Sequence, residues 1–291
     1  MVSLQVPHVR KLVALALEED LAFGDVTASL TVPRNERGLG KIIAREELLV
    51  CGLDIVPVII SEGHFDAVFS RKKEDGATAV AGDVLATVEG SSRDLLSLER
   101  TALNFLQRMC GVASYTKRFV AAASKVAVLD TRKTMPGFRV LDKYATSVGG
   151  ARNHRASLGD MVLVKNNHVD AHPHGMRGAL AEIVAKKPLY MPFEVEVRNL
   201  DELAIAIEFK PTVIMLDNFT DELVGKAVSL VQSTFSLSPE MRPLIEVSGG
   251  VSLERLPILS SLGVDAASAG ALTTRAPNVD ISMRISRIAP R

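Results

Sequence analysis

"MVLVKNNHVD", residues 161–170, decides the reading of the fold. Met161 to Val164 are four apolar residues in a row, the pattern of a strand buried on both faces. Lys165, Asn166, Asn167 and His168 follow with no turn residue between them. A buried lysine is costly unless it is paired. The strand is therefore expected to end at a polar site whose ligand supplies negative charge.

Five more apolar runs flank this one: "VAVLDTRK" (126–133), "PFEVEVRN" (192–199), "TVIMLDNF" (212–219), "LIEVSGGV" (244–251) and "VDAASAGAL" (264–272). Five of the six end in polar or glycine residues suited to chemistry. Helical segments such as "NLDELAIAIEF" (199–209) and "SLERLPILSSLG" (252–263) lie between most of them. Strands alternating with helices indicate a parallel sheet covered on both faces. A complete or slightly incomplete (β/α) barrel is the first expectation, and an open doubly wound sheet the alternative. Both bind ligands at the carboxyl ends of their strands.

Residues 1–108 mix helix and strand patterns irregularly. An amphipathic helix opens the chain and stops near Gly24, strands alternate over "GKIIAREELLVCG" and "ATAVAGDVLATVEG", and "SSRDLLSLERTALNFLQRM" (91–109) is helical. Such a mixture suits an α+β layer domain. The 291 residues carry 34 basic and 34 acidic side chains, so a nucleic-acid or polybasic membrane protein is not the first expectation. The 47% hydrophobic content suffices for a full core. The longest near-apolar stretch, residues 48–60, holds Asp54 and Pro57 and is too short for a bilayer span. Cys51 and Cys110 form no C-x-x-C pair, and a reducing cytoplasm is the simplest setting.

Side chains alternate across a strand, so Glu194 and Glu196 share one face, with Glu196 nearer the mouth. Asp217 ends the next strand. Two carboxylates there suit Mg²⁺, or else salt bridges to nearby basic residues. "SGG" (248–250) and "SAGA" (268–271) end the last two strands, where barrels often cradle a phosphate; two tight turns are the simpler alternative. Arg132, Lys133 and Arg139, then Arg152, His154 and Arg155, then Lys165 and His168 concentrate positive charge by segment. Solvent exposure accounts well for Arg139 and Arg152 and poorly for Lys165. Arg100 lies off the apolar stripe of its helix, and exposure is its default. The residues alone describe an α/β enzyme that binds a polyanion, with a Schiff-base aldolase acting through Lys165 still open.

Taken together, "EEDLAFGDVT", "LERTALNFLQRMCGVAS", "DTRKTMPGFRVLDKYA", "GGARNHR", "DMVLVKNNHV", "FEVEV", "IMLDNF", "EVSGGV" and "SAGALT" resemble the quinolinate phosphoribosyltransferases, also called carboxylating nicotinate-nucleotide pyrophosphorylases, of the bacterial type. The matches run in order from residue 18 to about 273. The resemblance implies an α/β sandwich over residues 1–109, joined by 275–291, and an incomplete (β/α) barrel over 110–274. It implies transfer of phosphoribose from phosphoribosyl pyrophosphate (PRPP) to quinolinate with Mg²⁺, giving nicotinate mononucleotide, pyrophosphate and CO₂, a step of NAD biosynthesis. It implies a homodimer, sometimes assembled further, with shared sites, in which Arg100 reaches the partner's quinolinate. Thr131, Arg132, Lys133, His154, Arg155 and Lys165 are implied to hold the dicarboxylate. Lys165, Glu196 and Asp217 would face ribose and metal–pyrophosphate. Ser248, Gly249, Gly250, Ser268, Ala269, Gly270 and Ala271 would hold phosphate. Lys133, Lys165, Glu196 and Asp217 are the implied catalytic groups.

The chain departs from the family pattern at Asn166, where an acid is usual after the strand lysine, and at Met135 and Thr274. A same-fold transferase for nicotinate, or the molybdenum-transport-associated homologue, is the alternative. The four residues Arg100, Arg132, His154 and Arg155 speak against it.

Overall fold

The computed structural model describes Leu4 and residues 6–288. The outermost residues of the expected segments 1–109 and 275–291 lie outside the described residues. Two compact units emerge: Met1–Lys117 with Thr134–Gly150 and Leu272–Arg291, and Arg118–Lys133 with Ala151–Ala271.

The first unit is built on an antiparallel sheet. Arg37–Ala44 pairs with Val84–Ser91 on one side and with Ile281–Arg287 on the other, and Ala67–Arg71 pairs with the far edge of Val84–Ser91. The helices Pro7–Leu21, Ile55–Glu62 and Ser92–Ala122 contribute Val9, Val13, Ile55, Ile59, Leu95, Leu98, Ala102 and Leu106 to the buried core. Those last four are the helical stripe visible in the sequence. The side chain of Ser91 accepts from the Asp94 N–H and caps that helix. The helix runs on to Ala122, well past the Met109 expected from the sequence. The helix continues through Gly111, although glycine weakens a helix interior. Here glycine answers a packing demand, since a Cβ on Gly111 would lie 2.1 Å from the Pro277 carbonyl oxygen.

The second unit holds the six apolar runs as one parallel sheet. Its order is Ala127–Leu129, Ala266–Ser268, Leu244–Ser248, Val213–Asp217, Phe193–Val197 and Val162–Val164. Five strands follow chain order and the first sits beside the last, which is barrel connectivity. Among the described residues the ring is not closed by a strand pair between Val162–Val164 and Ala127–Leu129. On that side, among the described residues, Leu129 forms a single parallel bridge to Arg152. The barrel is therefore incomplete, and the doubly wound alternative falls away.

Both strands flanking the gap are three residues long. The Asp130 carboxylate accepts from the Asn153 side chain and the His154 backbone N–H, while its own backbone N–H donates to the Arg152 carbonyl. Arg155 Nη1 takes the Met161 carbonyl. The arginine thus takes a backbone carbonyl that a longer strand could have used in its ladder. The helix expected over 252–263 is Leu256–Ser261, with Pro257 in its first turn. No helix among the described residues is long and apolar enough to cross a membrane.

Candidate active site

At the strand ends of the second unit lies a cavity of about 270 Å³. It is lined by the basic or polar Thr131, Arg132, Lys133, His154, Arg155 and Lys165, and by Glu196, Asp217, Ser248 and Ser268. Leu163 and Met215 complete the wall. The barrel thus gathers residues spread over more than 130 positions.

Lys165 is half-exposed, and its ammonium lies 2.8 Å from Glu196 Oε2. The strand Val162–Val164 can carry it because the chain turns at once into the helix Asn166–Ala171. His168 Nδ1 accepts the Lys165 backbone N–H at 2.8 Å, fastening that turn. The Asn166 backbone N–H reaches Glu196 Oε1 at 3.3 Å, and its side-chain amide reaches Asp217 Oδ2 at 3.4 Å. Asn166 therefore bridges the two mouth carboxylates with donors, which an acid in its place could do only through the backbone. Burial first, then the neighbouring Glu196, holds the Asp217 carboxyl above its usual range.

The cationic wall is short of counter-charge. Arg132 Nε is buried with no hydrogen-bond partner. Burial and the adjacent Arg132 lower the pKa of Arg155. Arg152 is exposed as expected, whereas Arg139 is half-buried in the first unit with its Nε on Thr134.

Gly249 sits at φ +88°, and a Cβ there would fall 2.1 Å from Asn218 Oδ1. A Cβ on Gly270 would lie 2.8 Å from Lys133 Cδ. Gly249 thus requires glycine by its positive φ, whereas at Gly270 the Lys133 side chain could move aside. Ser248 and Ser268 line the cavity, whereas Gly249, Gly250, Ala269, Gly270 and Ala271 do not. Arg100 is exposed on the helix Ser92–Ala122 of the first unit, in a small cleft with Glu19, Asp20 and Asn104, and is not among the cavity's lining residues. Burial raises the pKa of both Cys51 and Cys110, so neither thiol is primed as a nucleophile.

Glu246 had no sequence assignment and matters here. It stands two residues before Ser248, on the face shared with the mouth, the same parity that marks Glu194. Glu194 and Glu246 are 1% and 2% exposed, and each keeps one oxygen without a partner. His154 Nε2 is 3.0 Å from Glu194 and 3.8 Å from Glu246. These three groups have the spacing of a metal site. However, His154 Nδ1 accepts the Arg155 backbone N–H at 2.7 Å. A backbone N–H can only donate, so this contact asks Nδ1 to accept and suits the tautomer with its proton on Nε2. A metal-bound imidazole would instead offer a bare nitrogen to the ion and donate from the other. The cluster is therefore a hydrogen-bonded brace.

Burial and the neighbouring Glu194 push the Glu246 carboxyl from 4.5 up to about 7. Between these values the folded chain holds a proton that the unfolded chain has released, so stability falls as pH rises through that window. Glu246→Gln is expected to flatten this slope. Urea midpoints at pH 5, 6, 7 and 8 measure it, and parallel profiles for the two proteins would refute it.

Fold and site together define an α/β-barrel enzyme for polyanionic substrates. A family model described as the quinolinate phosphoribosyl transferase C-terminal domain matches residues 112–284, and the N-terminal domain model of the same family matches residues 25–110. The chain belongs to the quinolinate phosphoribosyltransferase family. It is 39% identical to the nicotinate-nucleotide pyrophosphorylase [carboxylating] of Mycobacterium leprae, over 94% of this chain and 96% of the relative. It is 37% identical to the probable enzyme of that name from Methanocaldococcus jannaschii, over 96% and 98%. The crystal structure of NadC from Streptococcus pyogenes superposes with a TM-score of 0.90 at 31% identity, covering 99% of this chain and 100% of that one.

Proposed function

We propose that this protein transfers phosphoribose from PRPP to the ring nitrogen of quinolinate, releasing pyrophosphate and CO₂ and forming nicotinate mononucleotide. The carrying observation is the unpartnered, buried Nε of Arg132 beside the Arg155 guanidinium. Two guanidiniums suit a dicarboxylate, because each planar fork matches one carboxylate. Nicotinate has a single carboxylate and would leave one fork unanswered. The family membership supports the same reading.

Arg132, Lys133, Arg155 and Lys165 line one cavity with Glu196 and Asp217, so both substrates meet their complements there. Leaving of pyrophosphate builds positive charge on the ribose, and the Glu196 and Asp217 carboxylates stabilise it. Lys165 holds Glu196 in place for that role and adds a cation for the leaving group. Once the ring nitrogen carries the ribose it is positive and stabilises the carbanion left by CO₂. The protein then has mainly to fix the ring and keep the site dry. Glu196 and Asp217 present hard oxygens, and the raised pKa of Asp217 is a condition that a divalent cation relieves. These two carboxylates would hold Mg²⁺, which supplies positive charge for pyrophosphate. The backbone around Ser248–Gly250 and Ser268–Ala271 would hold the 5′-phosphate. We place the reaction in the cytoplasm, consistent with two free cysteines. We also propose a homodimer in which Arg100 enters the partner's site.

Release of CO₂ from carboxyl-labelled quinolinate tests the function. It is expected only with PRPP and Mg²⁺ also present, and nicotinate is expected not to replace quinolinate. Folded protein that releases no CO₂ and makes no mononucleotide would sink the proposal. Borohydride trapping of substrate on Lys165 would revive the aldolase reading. Asn166→Asp is expected to raise KM for the anionic substrates roughly fivefold, for about 1 kcal/mol of added like charge beside Glu196 and Asp217. Unchanged KM values would refute that role for Asn166.

A further inference from the structure

The buried brace beneath the cavity has no part in the chemistry just described. Its centre is the His154 ring, whose Nε2 lies 3.0 Å from Glu194 and 3.8 Å from Glu246 and whose Nδ1 takes the Arg155 backbone N–H. Each end is anchored. Glu194 sits on the strand Phe193–Val197, whose five residues are all buried. Asp130, fully buried at the end of its own strand, accepts the His154 backbone N–H at 2.8 Å. Arg155 Nη1 is held 3.1 Å from the Met161 carbonyl. The stretch Arg152–Arg155 fills the side of the barrel that lacks a regular strand. It cannot draw its rigidity from a full ladder of backbone hydrogen bonds, so its position depends on side chains.

We propose that Glu194, backed by Glu246, is a positioning residue for Arg155: it holds the His154 ring in the Nε2–H form, so that Nδ1 stays a bare acceptor for the Arg155 backbone N–H and aims that guanidinium into the cavity. This rests on Arg155 binding a substrate carboxylate, as proposed above. In this arrangement both ring nitrogens of His154 are engaged within the protein. His154 therefore serves the dicarboxylate through Arg155. The second buried acid has a complementary part. Two adjacent buried carboxylates resist full ionisation, and the raised pKa of Glu246 puts the extra proton there.

The test uses the full chain labelled with ¹⁵N-histidine. Two-bond ¹⁵N–¹H correlations report the tautomer of each of the six histidines, and the His154 signals are assigned by their loss in His154→Asn. The wild-type ring is expected as a single Nε2–H tautomer with Nδ1 unprotonated. Glu194→Gln is expected to abolish that single state and to weaken quinolinate binding about tenfold by calorimetry, the effect of losing one charged hydrogen bond. PRPP binding is expected to change less than about twofold, a split that general loosening of the fold would not produce. Glu194→Asp is expected to recover part of the quinolinate affinity.

An Nδ1–H or doubly protonated ring in the wild type would overturn the proposal. So would an unchanged tautomer in Glu194→Gln, or equal loss of affinity for both substrates. If wild-type protein fails to bind quinolinate at all, the functional reading fails, while the wild-type tautomer still decides the brace without any variant.

Discussion

Lys165→Ala is expected to lower kcat/KM for quinolinate and PRPP by about 10²–10³, the usual cost of removing one aimed charge from where charge develops. The ammonium is 2.8 Å from Glu196, so its loss acts twice. It removes a cation that meets the substrates, and it leaves Glu196 beside Asp217 without its counter-ion. The released Glu196 charge adds to the repulsion that already raises the Asp217 pKa. The fold should hardly notice. Lys165 is half-exposed and outside the core, so the urea midpoint is expected to shift by less than about 0.5 kcal/mol equivalent. Steady-state kinetics and urea unfolding on the same preparation check both halves. Unaltered kcat/KM would remove Lys165 from the site. A large loss of stability would recast it as a structural residue.

The second large effect concerns Arg100. It is exposed in a cleft of the first unit and does not line the cavity. Arg100→Ala alone is expected to lose at least about 90% of activity through quinolinate binding, on the scale of one charged hydrogen bond. Mixed with Lys165→Ala chains and allowed to exchange subunits, it is expected to recover activity. Random pairing makes about half of the dimers mixed, and each mixed dimer has one intact site of two, so roughly a quarter of wild-type activity returns. Native mass spectrometry of chains with distinguishable tags establishes that mixed dimers exist. Mixed dimers without regained activity would mean that each site is built from one chain.

Much of this protein was determined by its sequence alone. The runs at 126–133, 161–168, 192–199, 212–219, 244–251 and 264–272 specify a parallel sheet, because strands covered on both faces are near-continuously apolar. The chemistry of its ends was legible too. A charged group at the end of such a strand has only the mouth in which to be solvated, which singles out Lys165, Glu196 and Asp217. Period-two parity marked Glu194 and applies equally to Glu246, where the glycines that follow draw the eye first.

The tertiary structure decided what depends on partners far apart in the chain. Beside the short strands 127–129 and 162–164, the Asp130 carboxylate holds Asn153 and His154, and the Met161 carbonyl is taken by Arg155. The helix crosses Gly111 because the Pro277 carbonyl leaves no room for a Cβ. The pairing of Lys165 with Glu196, the two donors of Asn166 and the tautomer of His154 follow from groups about 30 to 50 positions apart meeting at 2.8–3.4 Å. Local pattern states whether a residue faces the core or the mouth. Which charge answers which is settled only when the barrel brings the strand ends together, because hydrogen bonds act over a few ångströms and sequence separation does not measure distance.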